Sequence, residues 1–260
     1  MKRIVWLILC ILGVFSCVLF YKIKPYYTPA KQQEAMLDIN TYQDDTIRIA
    51  FIGDSWAEMH KSTMCIIGEI ISSSINHPVQ VRTEGISGLT SKNIYYSIFR
   101  NDSVRNVIEW GPDFCFIVAG INDSDRKVGK GYYKENMRLI IQLLLEHHIK
   151  PIVLEIPSYD IGFSFKRRNR AVKLLYLISM LATWSKMDCI DDYREAYINL
   201  LNEHGWGDKV ITIWSKDWNP DGYRDSRALY DEGLMHLNKK GYLVLDSCIA
   251  HKVIENCILP

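Results

Sequence analysis

The sequence predicts a three-layer α/β protein, in which about five parallel strands form one sheet with helices on both faces. Short apolar runs alternate with helical patterns from residue 46 onward, an order typical of strands joined by helical crossovers. The run from Phe114 to Val118 is apolar without interruption, as expected for a strand buried on both faces. Right-handed crossovers then bring the carboxyl ends of the strands to one edge of the sheet.

Each predicted element follows from its local pattern. The strands are short apolar or alternating runs at positions 47–52, 79–81, 114–118 and 152–154, with a short fifth strand at Cys189-Ile190. The helices carry apolar residues at helical spacing and lie at positions 58–75, 91–99, 132–148, 167–186, 193–204 and 238–253. Residues 205–230 fit neither pattern, because they combine three tryptophans with glycines and a proline. We interpret this stretch as an insertion near the functional edge of the sheet.

The N-terminal segment predicts a transmembrane helix ahead of this domain. Lys2 and Arg3 precede an apolar run from Ile4 to Tyr21, which is 18 residues without a charge. That length is at the lower limit for a helix that spans a bilayer. A cleaved signal peptide and a lipoprotein are alternatives, since Val14-Phe15-Ser16-Cys17 loosely resembles a lipoprotein cleavage box.

The domain organisation follows from this reading. Residues 1–24 are predicted to be the anchor or signal segment, residues 25–44 a polar linker with two prolines, and residues 45–260 a folded domain. The folded domain is then expected outside the cytoplasm, in the periplasm or at the cell surface.

The charge balance and the cysteine spacing exclude nucleic-acid binding and two kinds of cysteine motif. With 31 basic and 30 acidic residues the net charge is +1, so there is no electrostatic basis for nucleic-acid binding. The densest basic cluster, 166–170, is interpreted as the solvated face of an amphipathic helix. None of the seven cysteines forms a C-x-x-C pair, which excludes zinc-ribbon and thioredoxin motifs. Cys248 and Cys257 would lie about 13 Å apart on one helix, too far for a disulfide. The sequence predicts no metal site and no cofactor.

Four polar motifs follow the predicted strands or lie near the C-terminus. They are Gly53-Asp54-Ser55, Gly85-Ile86-Ser87-Gly88, Gly120-Ile121-Asn122-Asp123, and a final segment in which Asp231 and Glu232 precede His236. Acyl transfer by a serine needs a nucleophile, a base, a group that orients the base, and donors for an oxyanion. Ser55 alone is equally well explained as a helix N-cap, but the other three motifs favour a nucleophile.

With these motifs the chain resembles the SGNH/GDSL hydrolases over roughly residues 46–254. The resemblance implies a flavodoxin-like sheet and a serine ester hydrolase that needs no cofactor. It also implies that Ser55 is the nucleophile and His236 the base. The N–H groups of Ser55 and Gly88, with the side chain of Asn122, would form the oxyanion hole.

The chain departs from the family pattern at two positions. Trp56 stands where the family usually has leucine, which we expect to affect packing or pocket shape. Gly233 stands three residues before His236, where the family has the catalytic aspartate. Asp231 is our preferred acid and Glu232 the alternative. A Ser–His dyad, with the imidazole oriented by a backbone carbonyl, is the third possibility.

Three functions are compatible with these motifs. The leading hypothesis is a membrane-tethered esterase that removes acyl groups, typically acetyl, from an extracytoplasmic glycan or other small ester. An O-acetyltransferase of the same family, acting on cell-surface polysaccharide, would share the acyl-enzyme. A catalytically weak glycan-binding or assembly protein is the alternative from another class. The predicted partners are the ester substrate and the membrane, with the oligomeric state left open.

Overall fold

The computed structural model describes residues 28–63, 65–219 and 227–258, together with positions 6, 10, 13, 14 and 16. In this part of the chain the strands are β1 (Ile47–Gly53), β2 (Val79–Gly85), β3 (Phe114–Val118), β4 (Lys150–Leu154) and β5 (Ile211–Ile213). The α-helices are α1 (Ser55–Lys61), α2 (Ile67–Ile75), α3 (Ser91–Arg100), α4 (Asp102–Glu109), α5 (Ile121–Arg126), α6 (Lys130–Glu146), α7 (Ile161–Arg167), α8 (Arg170–Thr183), α9 (Ile190–His204), α10 (Ser215–Trp218) and α11 (Lys239–Ile258).

The sheet is parallel and has the strand order β2-β1-β3-β4-β5. This confirms the predicted α/β class with a five-stranded parallel sheet. Helices α2 and α11 pack together, while α6 packs on α3 and α9, so helices flank the sheet as expected. In this strand order the crossovers diverge between β1 and β3, which is where such sheets bind ligands.

The register aligns the strand ends at that point. Gly53 pairs with Gly85 of β2 on one side and with Val118 of β3 on the other. The segments that follow these three residues therefore leave the sheet at the same level. This alignment places Ser55, the 86–88 loop and the start of α5 on one edge.

Gly85 allows α1 to lie directly on the end of β2. A Cβ at Gly85 would be 2.2 Å from the Glu58 backbone nitrogen and 2.7 Å from the Ala57 Cβ. Real side chains do not approach a backbone so closely, and only glycine permits this contact. The position of α1, which begins with Ser55, thus depends on a missing side chain in the neighbouring strand.

The predicted fifth strand at Cys189-Ile190 is wrong. Ile190 begins α9, and the actual fifth strand, β5, lies inside the stretch interpreted as an insertion. Asp191 and Asp192 occupy the first turn of α9, where carboxylates stabilise a helix N-terminus. Two apolar residues, Cys189 and Ile190, are too short a run to form a strand where the next two residues favour the start of a helix.

The predicted helix over 58–75 is two helices, α1 and α2. The Ser62 and Thr63 hydroxyls donate to the carbonyl oxygens of Met59 and His60 at 2.7 and 2.8 Å. These bonds satisfy carbonyls that a continuing helix would use. The predicted helix over 167–186 is also divided, into the end of α7 and α8. Helix α4 was not predicted.

The other predicted helices are confirmed with shifted ends, and Cys248 and Cys257 are free thiols on α11. The predicted membrane segment, residues 4–21, lies almost entirely outside the described residues. Among the residues that the structure describes, no helix has both the length and the apolar character needed to cross a bilayer.

Substituting Gly85→Ala is expected to destabilise the protein by about 1–3 kcal/mol, because the new methyl group would overlap the α1 backbone. Urea unfolding of the variant measures this. Gly131→Ala is the matched control: nothing lies within 4 Å of its added Cβ, and alanine stabilises a helix interior by up to about 1 kcal/mol relative to glycine. Equal stability of the two variants would contradict the close contact at Gly85.

Candidate active site

Ser55 is the first residue of α1, directly after the end of β1. The N-cap of this helix is Asp54, whose Oδ1 accepts the Trp56 N–H at 3.0 Å. Ser55 is therefore not the cap, and its hydroxyl is available for another partner. That partner is His236, whose Nε2 lies 2.8 Å from the Ser55 Oγ.

His236 lies in a closed loop between Tyr230 and Leu237, whose backbones form an antiparallel bridge. The Asp231 N–H donates to the His236 carbonyl oxygen at 2.9 Å, and Leu234 takes a left-handed conformation with φ of 51°. This closure brings Asp231, five residues before the histidine, back to the imidazole. The Asp231 Oδ2 lies 3.7 Å from the His236 Nδ1, which is an ion-pair distance and too long for a hydrogen bond.

The two alternative acids differ in their surroundings. The Oδ1 of Asp231 accepts the Gly233 N–H at 2.9 Å, so its carboxylate is held in place beside the imidazole. Glu232 is exposed, and no hydrogen bond or ion pair joins it to another described residue. The geometry favours Asp231 as the orienting carboxylate.

Burial and charge act on His236 in opposite directions. Burial in the site lowers the pKa of the imidazole below its ordinary 6.5, and the Asp231 carboxylate partly offsets this. The neutral imidazole is therefore favoured at neutral pH. With Asp231 on the Nδ1 side, the tautomer that leaves Nε2 as acceptor toward Ser55 is the stable one.

The three groups expected in the oxyanion hole differ in how they are engaged. The N–H groups of Ser55 and Gly88 donate to no other described residue. Gly88 has φ of +76°, which favours glycine. The Asn122 Nδ2 instead donates to Asp54 Oδ2 at 3.1 Å and to the Leu89 carbonyl oxygen at 3.0 Å. Since an amide nitrogen has two hydrogens, Asn122 must release one partner to reach an oxyanion.

Two buried carboxyl groups support this edge of the sheet. Burial raises the pKa of Asp54 to about 7, and the charge of Asp123 adds to the effect. Burial likewise raises the pKa of Asp123 to about 6, against hydrogen bonds from Ser91. Asp123 accepts from the Ser91 N–H and hydroxyl at 2.8 and 2.5 Å. Asp123 thus joins the start of α3 to α5, and Asp54 joins α1 to α5.

Trp56 connects α1 to the loop that carries His236. Its indole N–H donates to the Met235 carbonyl oxygen at 3.1 Å, and the side chain is fully buried against Trp218 and Tyr242. The departure from the family leucine therefore has a structural consequence next to the catalytic histidine candidate. The sequence predicts an effect of Trp56 on packing, and the structure identifies the partner as the loop that carries His236.

Sequence reasoning missed Arg126. A Cβ built on Gly88 would lie 3.1 Å from the Arg126 Nη2, so the guanidinium lies against the loop that carries a candidate oxyanion donor. Arg126 follows Asn122 by four residues on α5, and residues at this spacing share a helix face. That spacing was the available signal.

His60 lies on α1, five residues after Ser55. It is fully buried and its Nε2 lies 2.6 Å from Asp246 Oδ1, which ties α1 to α11. Cys65 completes the one cluster of three metal-ligand types found among the described residues, with ligand atoms within 4.8 Å of one another. Asp246 Oδ2 also accepts the Ile66 N–H at 3.1 Å, so this carboxylate already has hydrogen-bond partners.

The family model of GDSL-like lipases and acylhydrolases matches residues 51–244, a span that contains Ser55, Gly88, Asn122 and His236. No curated protein matches the sequence.

Several solved structures share the fold. A lipase/acylhydrolase from Enterococcus faecalis has 16% identity and a TM-score of 0.56, over 81% of this chain and 96% of that one. A GDSL-like lipase from Bacteroides thetaiotaomicron has 17% identity and a TM-score of 0.52, over 81% and 89%. An acetyl xylan esterase from Geobacillus stearothermophilus has 15% identity and a TM-score of 0.54, over 80% and 94%. At these identities the likeness establishes the fold.

We expect the imidazole of His236 to titrate below pH 6.5, and Asp231→Asn to lower its pKa further, because the carboxylate charge favours the protonated ring. NMR titration of the ring proton signals, assigned by comparison with His236→Gln, measures both values. Glu232→Gln is the matched control and should leave the His236 pKa unchanged. A higher pKa in Asp231→Asn would contradict the placement of this carboxylate.

Proposed function

The chain belongs to the GDSL-like lipase/acylhydrolase family, and from this premise we propose that it is a serine esterase that removes acyl groups, typically acetyl, from an extracytoplasmic glycan or other small ester. Membership of this family makes it a hydrolase of ester bonds. The finer proposal concerns the mechanism and the substrate. It depends above all on one observation, the 2.8 Å separation of Ser55 Oγ and His236 Nε2.

The first step is proton transfer and attack. Neutral His236 accepts the Ser55 hydroxyl proton at Nε2 as the serine oxygen adds to the ester carbonyl carbon. The imidazolium that forms is stabilised by the Asp231 carboxylate on the Nδ1 side, 3.7 Å away. A shorter contact in the transition state would strengthen this effect, since catalytic hydrogen bonds are often long before substrate binds.

The second requirement is a place for the negative charge that develops on the carbonyl oxygen. The unengaged N–H groups of Ser55 and Gly88 are the first donors. The Asn122 amide becomes the third when it gives up the Leu89 carbonyl oxygen and keeps Asp54. Preorganised donors of this type contribute on the order of 3–4 kcal/mol each to the transition state.

The acyl-enzyme is then hydrolysed by water. The imidazolium of His236 first gives its proton to the departing alkoxide, which leaves as the alcohol. A water molecule enters the same position, loses its proton to His236 and attacks the Ser55 ester. The serine oxygen recovers its proton when the tetrahedral intermediate collapses and the free acid leaves.

The glycan proposal has two supports, which are a structural neighbour that acts on a glycan ester and one accessible tryptophan, Trp214. One of the proteins with the same fold is an acetyl xylan esterase. Of the three tryptophans in 205–218 that could stack on a sugar, Trp206 and Trp218 are buried. Trp214 is half-buried and lines a cavity of about 490 Å³ with Arg194 and Glu155 beyond the ends of β4 and β5. The extracytoplasmic location, anchored by residues 1–24, is a proposal from the sequence pattern alone.

Ser55→Ala and His236→Ala are expected to lower the turnover of p-nitrophenyl acetate at least about 10³-fold, because nucleophile and base act as a unit. Ser55→Ala should also abolish labelling by a fluorophosphonate probe. Ser73→Ala, which changes an exposed serine on α2, is the control and should match the wild type. Wild-type protein that is folded yet neither turns over the ester nor takes the label would overturn the serine mechanism for simple esters.

Asp231→Asn is expected to reduce kcat/KM for p-nitrophenyl acetate roughly 10- to 100-fold. This is less than the loss of about 10⁴ in a fully hydrogen-bonded triad, because the carboxylate is 3.7 Å from the imidazole and 35% exposed. Glu232→Gln should stay within about twofold of the wild type. Unchanged activity of Asp231→Asn would indicate a Ser–His dyad, and a larger loss for Glu232→Gln would reverse the assignment of the acid.

A further inference from the structure

Helix α8 presents an apolar stripe to solvent. Leu174, Leu177, Leu181 and Trp184 have exposed fractions of 60%, 45%, 77% and 95%. The spacing of three and four residues places the three leucines on one side of the helix. Trp184 follows directly after the last helical residue, in a left-handed conformation with φ of 53°. Exposed single leucines are ordinary, but a continuous stripe of this kind marks an interaction surface.

The opposite side of α8 contributes few buried residues. Tyr176 is the buried residue of this helix, and its hydroxyl donates to the Met187 carbonyl oxygen at 3.1 Å. The helix therefore has the reverse of the usual arrangement, with most of its apolar surface turned away from the protein. No described part of the chain covers these exposed leucines.

The flanks of the stripe are basic. Between Asp160 and Asp188 the sequence contains no acidic residue and six basic ones. Arg168 turns inward to pair with Asp125, but Lys166, Arg167, Arg170 and Lys186 are exposed. The Arg167 guanidinium lies 5.4 Å from the ring centre of Phe163, itself 37% exposed. Apolar and basic side chains thus form one surface, the α7–α8 face, defined by residues 163–186.

Helix α6 contacts both residue 30 and the end of α8. The Ala30 N–H donates to the Asn136 Oδ1 of α6 at 2.7 Å. Gly129, which precedes α6, would bring an added Cβ within 3.7 Å of the Thr183 Cγ2. Residues 129 and 136 are about 10 Å apart along a helix axis. Residue 30 therefore lies against α6, the helix whose start contacts the end of α8.

We propose that the α7–α8 face docks on the surface of an anionic lipid bilayer. An amphipathic helix with leucine and tryptophan on one face and flanking lysine and arginine has the chemistry of such a surface, and each cation near anionic headgroups adds to the affinity. A symmetric contact with a second copy of the chain would bring the two basic flanks together, which disfavours that occupant. Docking holds the domain at the bilayer independently of the reaction at Ser55.

The test uses the full chain reconstituted into vesicles that contain brominated phosphatidylcholine, which quenches tryptophan emission in contact with the acyl chains. Two lipid compositions are compared, phosphatidylcholine alone and a 3:1 mixture with phosphatidylglycerol. Subtracting the signal of Trp184→Phe isolates Trp184 from the other tryptophans. We expect the Trp184 emission to be quenched at least about twofold more in the anionic vesicles.

Two sets of variants separate the apolar and basic contributions. Leu174→Gln with Leu181→Gln should reduce Trp184 quenching to background. Neutralising Arg167 and Arg170 to glutamine should reduce the preference for anionic lipid, since each charge contributes about fivefold to affinity. Lys239→Gln with Lys240→Gln is the matched charge control on α11 and should behave as wild type. The melting temperatures should be unchanged, because the substituted residues are largely exposed.

Three outcomes would overturn the proposal. The first is Trp184 emission that is unquenched in both vesicle types, and the second is equal quenching in the two. The third is a concentration-dependent dimer in detergent that Leu181→Gln abolishes, which would assign the face to a second copy of the chain. Because quenching does not require turnover, failure here leaves the proposed esterase function untouched, and an inactive protein would still test the docking.

Discussion

The close contact of α1 with the ends of the central strands determines where the candidate catalytic groups lie. Gly53 has its neighbours Gly85 and Val118 at the same level of the sheet, and Gly85 lets the α1 backbone rest on β2. The serine, the Gly88 loop and the Asn122 helix then share one edge. A side chain at Gly85 would displace α1, the helix that carries Ser55, from the end of β2.

Buried polar groups hold these elements in that arrangement. Asp54 caps α1 and accepts from Asn122, so one carboxyl group fixes both the helix that carries Ser55 and a candidate oxyanion donor. Trp56 fixes the other side of the site through the Met235 carbonyl. These residues touch no substrate in our mechanism. They act because an imidazole or amide contributes to catalysis only when its position is set in advance.

The proposed docking face and the candidate catalytic site have separate physical origins. The candidate site is built on a buried, hydrogen-bonded edge of the sheet, whereas the α7–α8 face is exposed, apolar and cationic. The sequence predicts a solvated face for the basic cluster at 166–170, and Lys166, Arg167 and Arg170 are exposed, whereas Arg168 turns inward to Asp125. The adjacent leucines are also exposed, because α8 turns them toward solvent. Together with the basic residues they form the surface for which we propose docking on a bilayer.

The sequence by itself determined the fold class, four of the five strands and the candidate residues Ser55, Gly88, Asn122 and His236, because periodicity and motif order are local properties. It did not locate β5, since three residues of strand in a tryptophan-rich stretch give no period. It left Asp231, Glu232 and a dyad open, because only closure of the 230–237 loop decides which carboxylate faces the imidazole. The same limit hid Arg126 beside Gly88 and His60 beside Asp246, since such contacts join residues distant in sequence. Only the tertiary structure decides them, because packing sets both which residues meet and which faces remain exposed.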